Sequence, residues 1–135
     1  MIGVAHHESA YSILVADDDR ATRDTLRDII DPLGFRTLLA TDGAEALEIV
    51  RHEIIHAALF DVHMPNLTGI EALEMLRQFN IELPVILITA DSNAGLMQQA
   101  FKAHAYSVLP KPVNKNVVLH TLTRALDRTY RDRIH

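Results

Sequence analysis

The chain contains no cysteine, which excludes disulfides, thiolate catalysis and cysteine-based zinc sites and is compatible with a reducing compartment. It also lacks any segment near the roughly 18–20 consecutive apolar residues of a membrane span. The N-terminal stretch MIGVAHHESAYS does not have the basic-then-apolar order of a secretory signal. Positive charge is in deficit: 13 Lys and Arg face 18 Asp and Glu, a formal net charge of -5. Nothing in that balance favours a phosphate backbone or an anionic membrane as partner. A cytoplasmic location is expected, with no membrane insertion and no direct nucleic-acid binding.

What is present is ordinary for one globular domain: 135 residues, 48% apolar and 23% charged, enough chain to bury a core. Four apolar runs stand out, SILVA at 12–16, FRTLLA at 35–40, AALFDV at 57–62 and PVILITA at 84–90, with a weaker one, AYSVLP, at 105–110. Between them helical spacing links Thr22, Leu26, Ile29, Ile30 and Leu33, then Ala44, Leu47 and Val50, then Ile70, Leu73 and Leu76. After the last run it links Val117, Leu119, Leu122 and Leu126. Turn signals fall between the segments: Pro32 and Gly34, Asp42-Gly43, Pro65 and Asn66, and Glu82 to Pro84. Strands apolar on both faces, each followed by an amphipathic helix, predict an α/β fold with a parallel sheet covered on both sides. Five such units make a flavodoxin-like, doubly wound five-stranded sheet of order 2-1-3-4-5. A barrel would need eight units.

In such sheets ligands collect at the carboxyl ends of the strands. The polar residues expected there are Asp17, Asp18 and Asp19 in ILVADDD, Asp61 in AALFDV, Thr89 in PVILITA and Lys111 in LPKP. One aspartate of DDD serves as a helix N-cap, Asp19 being best placed, but a cap does not account for three adjacent carboxylates that repel one another. Asp61 directly behind an apolar run is costly to bury unless paired, protonated or metal-bound. Converging at one spot, Asp17, Asp18 and Asp61 with Lys111 would form a hard, oxygen-rich cage suited to Mg²⁺.

The stretches ILVADDD, ALFDVHMPNLTGIEAL, PVILITA and LPKP, in this order, resemble the receiver domain of the two-component response regulators. The resemblance runs from about Ser12 to about Arg128. It implies a receiver over residues 12–130, flanked by an N-terminal tail, 1–11, that includes His6 and His7, and a C-terminal tail, 131–135. It implies that Asp61 accepts a phosphoryl group from a histidine kinase or a phosphotransfer protein. It also implies that Asp18 and Asp61 hold Mg²⁺ with the backbone carbonyl of His63 while Asp17 acts through water, that Lys111 pairs with Asp61, and that Thr89 binds a phosphoryl oxygen. Such a domain is not an enzyme toward other substrates. Its usual readout surface corresponds to Asn93 to Tyr130, presented to a downstream protein or output domain. No output domain is expected after Asn114, so the chain is either a stand-alone regulator or part of a longer one.

Departures from the family pattern bear on the switch. The aromatic common three residues before the lysine is Val108 here, and strand alternation puts Tyr106 on the same side as Val108. His104 stands where glycine is frequent, so positive φ is expected there. The Lys111-Pro112 bond is often cis in relatives, and His63 and Asp91 flank the site where the lifetime of the phosphorylated form is tuned.

Competing patterns are weaker. HEIIH at 52–56 matches the H-E-x-x-H zinc motif, which requires one continuous helix carrying both histidines. His56 runs straight into the third strand instead. The arginines of RALDRTYRDRIH are read as complementing a helix C-terminus. A haloacid dehalogenase-like phosphotransferase would need Thr or Val where DDDRA has Ala21, and a cap domain. A receiver-like docking module that is never phosphorylated is the remaining alternative.

Overall fold

The computed structural model describes residues 11–131, so His6 and His7 lie outside the described residues. Each apolar run becomes a strand of nearly the expected length: β1, Ser12–Ala16; β2, Arg36–Ala40; β3, Ala57–Asp61; β4, Val85–Thr89; and β5, Ser107–Pro110. Their helices are α1, Arg20–Ile30; α2, Gly43–His52; α3, Gly69–Leu76; α4, Ala94–Lys102; and α5, Lys115–Tyr130. All neighbouring strand pairs are parallel, in the order β2-β1-β3-β4-β5. The predicted fold class and strand order are those observed.

Alternation along the strands splits the core in two. Ile13, Val15, Leu59, Ile86 and Ile88 face α1 and α5, where Leu26, Ile29, Ile30, Val118, Leu122 and Leu126 close one apolar cluster. Leu14, Ala58, Phe60, Val85 and Leu87 face the opposite way, onto a cluster built with Leu47, Ile70, Leu73, Leu76, Leu96 and Ala100. The inner strands β1, β3 and β4 are buried at every residue, whereas the edges β2 and β5 are only partly covered. That is why the sequence of the inner strands shows no polar alternation. A leucine fully buried there contributes roughly 2 kcal/mol.

Every helix starts at the carboxyl edge of the sheet, behind a side-chain cap. Asp19, Asp42, Thr68, Asn93 and Asn114 accept from the backbone N–H of Thr22, Glu45, Glu71, Leu96 and Val117 respectively. Thr68 and Glu71 form a reciprocal capping box. The positive ends of all five helix dipoles therefore sit at the edge that carries the acids.

The helical faces differ in detail from the sequence spacing. In α5 the buried stripe is Val118, Leu122, Ala125 and Leu126. Val117 is 43% exposed and Leu119 half-buried, so the face is rotated by one residue from the expected one. In α2 Ala44 is exposed while Gly43, Ala46 and Leu47 are buried. Tyr106 also departs from expectation. It packs with the α1–α5 cluster, whereas Val108 packs with the opposite one. The strand begins only at Ser107, and the alternation that would align 106 with 108 does not extend into the preceding bend. His104 has φ 61, as expected, and Lys111-Pro112 is cis.

At the amino edge of the sheet Tyr11, the last residue of the predicted tail, packs its ring 5.6 Å from Phe35, 5.2 Å from His56 and 5.7 Å from Tyr130. His56 does not bind with His52. His52 ends α2 and meets Glu48, while His56 Nδ1 accepts from the Ser12 N–H at 3.0 Å. The Tyr130 hydroxyl donates to the His56 carbonyl at 2.7 Å. Burial lowers the His56 pKa, consistent with a neutral ring whose Nδ1 is an acceptor.

Candidate phosphoryl-transfer site

Asp17 follows β1 directly and is 1% exposed. Its N–H donates to Ala40 O at 3.1 Å, extending the β1–β2 ladder by one bond and fixing the residue's direction. One carboxylate oxygen, Oδ1, accepts from the Asp19 N–H at 2.9 Å. The other takes no well-formed hydrogen bond and has the Lys111 Nζ 3.1 Å away as an ion pair. Asp18, between them, is exposed, and Asp19 caps α1 through both the amide and the hydroxyl of Thr22. Those two hydrogen bonds hold the Asp19 carboxyl below its usual range. Three consecutive aspartates thus have three different surroundings.

Asp61 is the last residue of β3 and is 3% exposed. Its Oδ1 accepts from the His63 N–H at 3.2 Å, and its Oδ2 lies 3.4 Å from Lys111 Nζ. Burial, then the Asp17 charge, pushes its pKa up to about 6 against the opposing pull of Lys111. Lys111 feels the converse: burial would lower its pKa, but the adjacent Asp17 carboxylate, followed by that of Asp61, raises it. The ammonium bridges the two buried carboxylates and lies nearer Asp17, a pairing the resemblance did not anticipate.

Thr89 ends β4 and is fully buried; its Oγ1 accepts from the Asp91 N–H at 3.1 Å. Its carbonyl accepts from the Lys111 N–H at 2.8 Å, so the backbone that carries the lysine is anchored to the strand that carries the threonine. Strand order places the ends of β1, β3, β4 and β5 side by side. This is how residues up to about a hundred positions apart come to one edge.

Asp17, Asp18 and Asp61 each offer a carboxylate oxygen within 4.8 Å of the others. Among the described residues this is the one group of three or more His, Cys, Asp or Glu side chains that could hold a metal ion. Three carboxylates against one ammonium, with a buried Asp17 oxygen that lacks a hydrogen bond, fit a small hard cation such as Mg²⁺. The H-E-x-x-H segment contributes nothing here.

Two positioning residues were not identified from sequence. Gly69, at the start of α3, packs so tightly that a Cβ there would lie 2.3 Å from the Asp61 carbonyl oxygen and 2.9 Å from its carbon. Its N–H also donates to Val62 O at 2.9 Å. The glycine of D-x-x-M-P-x-x-x-G was the available signal, since a glycine at a fixed offset from an acid marks close backbone approach. Arg23 is the second: its Nη1 donates to Asp17 O at 2.7 Å, bracing the β1 end from α1.

Comparison with known proteins agrees with this geometry. The family model described as the response regulator receiver domain matches residues 13–123. The response regulator MprA of Mycobacterium leprae is 38% identical over 120 residues, covering 89% of this chain and 53% of that protein. The sensor histidine kinase RcsC of Escherichia coli is 36% identical over 121 residues, 90% of this chain but only 13% of the kinase. The chain thus spans about half the length of the former and a small part of the latter. Among solved structures, a CheY-like receiver domain protein from Methanospirillum hungatei superposes with a TM-score of 0.87 at 27% identity, covering 92% of this chain and 99% of that one. Vibrio cholerae chemotaxis protein CheY4 gives 0.79 at 27% identity, covering 86% and 98%. These matches leave no place for the haloacid dehalogenase-like alternative, and the chain belongs to the response regulator receiver domains of two-component systems.

Proposed function

We propose that this domain accepts a phosphoryl group on Asp61 from a sensor histidine kinase or a histidine phosphotransfer protein, and passes the signal on through a change of conformation. The observation that carries the reading is a buried strand-end carboxylate facing Lys111, with Asp17 and Asp18 beside it. An Asp61 oxygen attacks phosphorus, the bond from phosphorus to the donor's leaving group breaks, and an acyl phosphate forms. Hydrolysis of that acyl phosphate releases inorganic phosphate and restores the carboxylate.

Asp17, Asp18, Asp61 and the backbone carbonyl of His63 would hold Mg²⁺. When bound, the ion supplies charge neutralisation for the phosphoryl oxygens. Lys111 places an ammonium where negative charge accumulates, and the Thr89 hydroxyl is positioned at the neighbouring strand end as a donor to a phosphoryl oxygen. These contacts favour one of two conformations, and a differential interaction of a few kcal/mol is enough to shift such populations. The protein catalyses only the gain and loss of its own phosphoryl group.

Incubation with acetyl phosphate, followed by intact mass measurement, tests this. A Mg²⁺-dependent phosphate adduct is expected for the wild type and none for Asp61→Asn. Absence of an adduct under every condition would replace the proposal with a docking module that is never phosphorylated. Within ILVADDD, Asp18→Ala should weaken Mg²⁺ binding at least tenfold more than Asp19→Ala, as read by titration calorimetry. The second change removes the cap of α1 and should lower stability rather than metal affinity.

A further inference from the structure

Between Asp61 and Ala100 the chain has five Asp and Glu and a single Lys or Arg, Arg77. The fold turns that one guanidinium away from the acids: it donates to the carbonyls of Asn80 and Leu83 behind α3 and of Ala103 and His104 behind α4. Between the same two helices lies a groove of about 790 Å³. Val62, Ile70 and Leu96, each no more than 8% exposed, form its apolar floor. Glu71, Glu74 and Asp91 are exposed along its rim. Among the described residues none of these three forms an ion pair with Lys, Arg or His. No residue of β5 or α5 lines the groove, so it is separate from the surface that α4 shares with those elements.

We infer that the α3–α4 groove binds a basic segment of a partner protein, and that a phosphoryl group on Asp61 tightens the binding. The first part stands on the groove alone; the second rests on the proposed phosphorylation. Glu71 and Glu74 are three residues apart on α3, hence roughly 4–5 Å apart along the helix axis and on one face. A Lys or Arg side chain lays its apolar stem along a hydrophobic surface while its charged head reaches a carboxylate, which is what a floor of Val62, Ile70 and Leu96 beneath an acidic rim accommodates. Each wall also hangs from a residue of the phosphoryl-transfer site. Gly69 seats the start of α3 against the Asp61 carbonyl, and the Asp91 N–H ahead of α4 donates to Thr89 Oγ1 at 3.1 Å. His63 and Asp91, two residues past Asp61 and Thr89, line the groove itself. A phosphoryl group on Asp61 adds roughly two negative charges at that end. The added charge favours a cationic occupant, and by linkage the occupant favours the phosphorylated form by the same factor.

Geometry and charge select against other occupants. Glu71, Glu74 and Asp91 do not form a group that could hold a metal ion; among the described residues only Asp17, Asp18 and Asp61 do. Pairing this face with the same face of a second copy would set the three acids against their own counterparts, so a symmetric dimer through it is disfavoured. Nucleic acid would be repelled by the same carboxylates.

The test is fluorescence anisotropy in saturating Mg²⁺, which keeps the strand-end acids occupied, with a short labelled peptide of Lys, Arg and Leu. One counterpart carries Gly for each Leu, and another carries Glu for each basic residue. The expected result is saturable binding of the first peptide, weaker binding of the second and none of the third, with affinity falling as salt rises. Glu74→Lys combined with Gln99→Lys should reduce affinity roughly tenfold or more, and Glu74→Gln by less. Asp28→Lys, at an exposed acid of α1 outside the groove, should leave it unchanged. Glu74 and Gln99 are exposed helix positions, so the groove variants should keep the fold and gain the acetyl phosphate adduct, read by intact mass, as the wild type does. Adding acetyl phosphate should tighten peptide binding roughly threefold or more in the wild type and not at all in Asp61→Asn. Equal binding of the Leu and Gly peptides, an equal loss from Asp28→Lys and the groove variant, or self-association without peptide binding would each overturn the docking inference. An adduct without peptide binding removes the docking inference alone, and an adduct that leaves affinity unchanged removes only its coupling to phosphorylation. Peptide binding without any adduct leaves the docking in place and removes the phosphorylation reading.

Discussion

The two edges of the sheet handle buried polar groups in opposite ways. At the amino edge His56 and Tyr130 sit among aromatic rings, and the ring nitrogen and carbonyl of His56 are each hydrogen-bonded, to the Ser12 N–H and the Tyr130 hydroxyl. At the carboxyl edge two carboxylates are buried beside one ammonium, one oxygen lacks a hydrogen bond, and the Asp61 pKa is driven up to about 6. The first arrangement closes the base of the sheet at little electrostatic cost. The second keeps a site under strain that a cation or a phosphoryl group can relieve. A parallel sheet separates the two tasks because every strand contributes its amino end to one edge and its carboxyl end to the other.

The largest effect is expected at the carboxyl edge, where Gly69→Ala would drive a methyl group into the Asp61 backbone. A loss of about 3 kcal/mol is expected in urea unfolding, together with a much slower gain of the phosphate adduct. A comparable change at exposed Ala44 would show neither.

Asp61→Asn should act in the opposite direction. In the wild type the folded-state pKa, about 6, exceeds the ordinary value of 3.8, so the folded protein binds more protons and loses stability as pH rises through that window. Removing the charge should therefore stabilise the metal-free protein by about 2 kcal/mol at pH 8. The gain should shrink as pH falls through that window and vanish below the ordinary 3.8, as followed by urea unfolding across pH. Added Mg²⁺ should stabilise the wild type far more than the variant, since a ligand of the native state shifts unfolding by mass action.

At the amino edge Tyr130→Phe removes one hydrogen bond while keeping the ring packed 5.3 Å from His56, edge-on, and 5.7 Å from Tyr11. A loss of about 1 kcal/mol is expected, with the phosphate adduct unchanged. The smallest effect is a pH tilt from His56. Its pKa is lowered on folding, so its contribution is complete above the ordinary 6.5 and declines as pH falls below it. His56→Asn, which keeps an acceptor for the Ser12 N–H but does not titrate, should flatten that decline. The tilt has the opposite sign to that of Asp61, and a double variant with Asp61→Asn should show the two contributions to be independent.

The legibility of the molecule in its sequence followed the same division. The carboxyl edge could be read because its residues are chemically conspicuous: an acid behind an apolar run at Asp61, three adjacent acids at 17–19, and a lysine before a proline. The amino edge could not, since Tyr11, Phe35, His56 and Tyr130 are scattered singly and no local pattern predicts that they meet. HEIIH matches a metal motif only in its letters: the expected helix end at His52 is observed, but the aromatic contact of His56 was not foreseen. The side of Tyr106 and the rotation of α5 were also missed, because both depend on where a bend stops the strand period and on how a helix seats against its neighbours.

Sequence alone determined the five βα units, the Asp19 cap and the set of acids, hydroxyl and lysine at the strand ends, because hydrophobic periodicity and side-chain chemistry are local. Tertiary structure alone decided that Lys111 bridges Asp17 and Asp61 and that Gly69 presses on the Asp61 backbone. These depend on which strand ends lie side by side and at what distance, and only the closed packing of sheet and helices sets those distances.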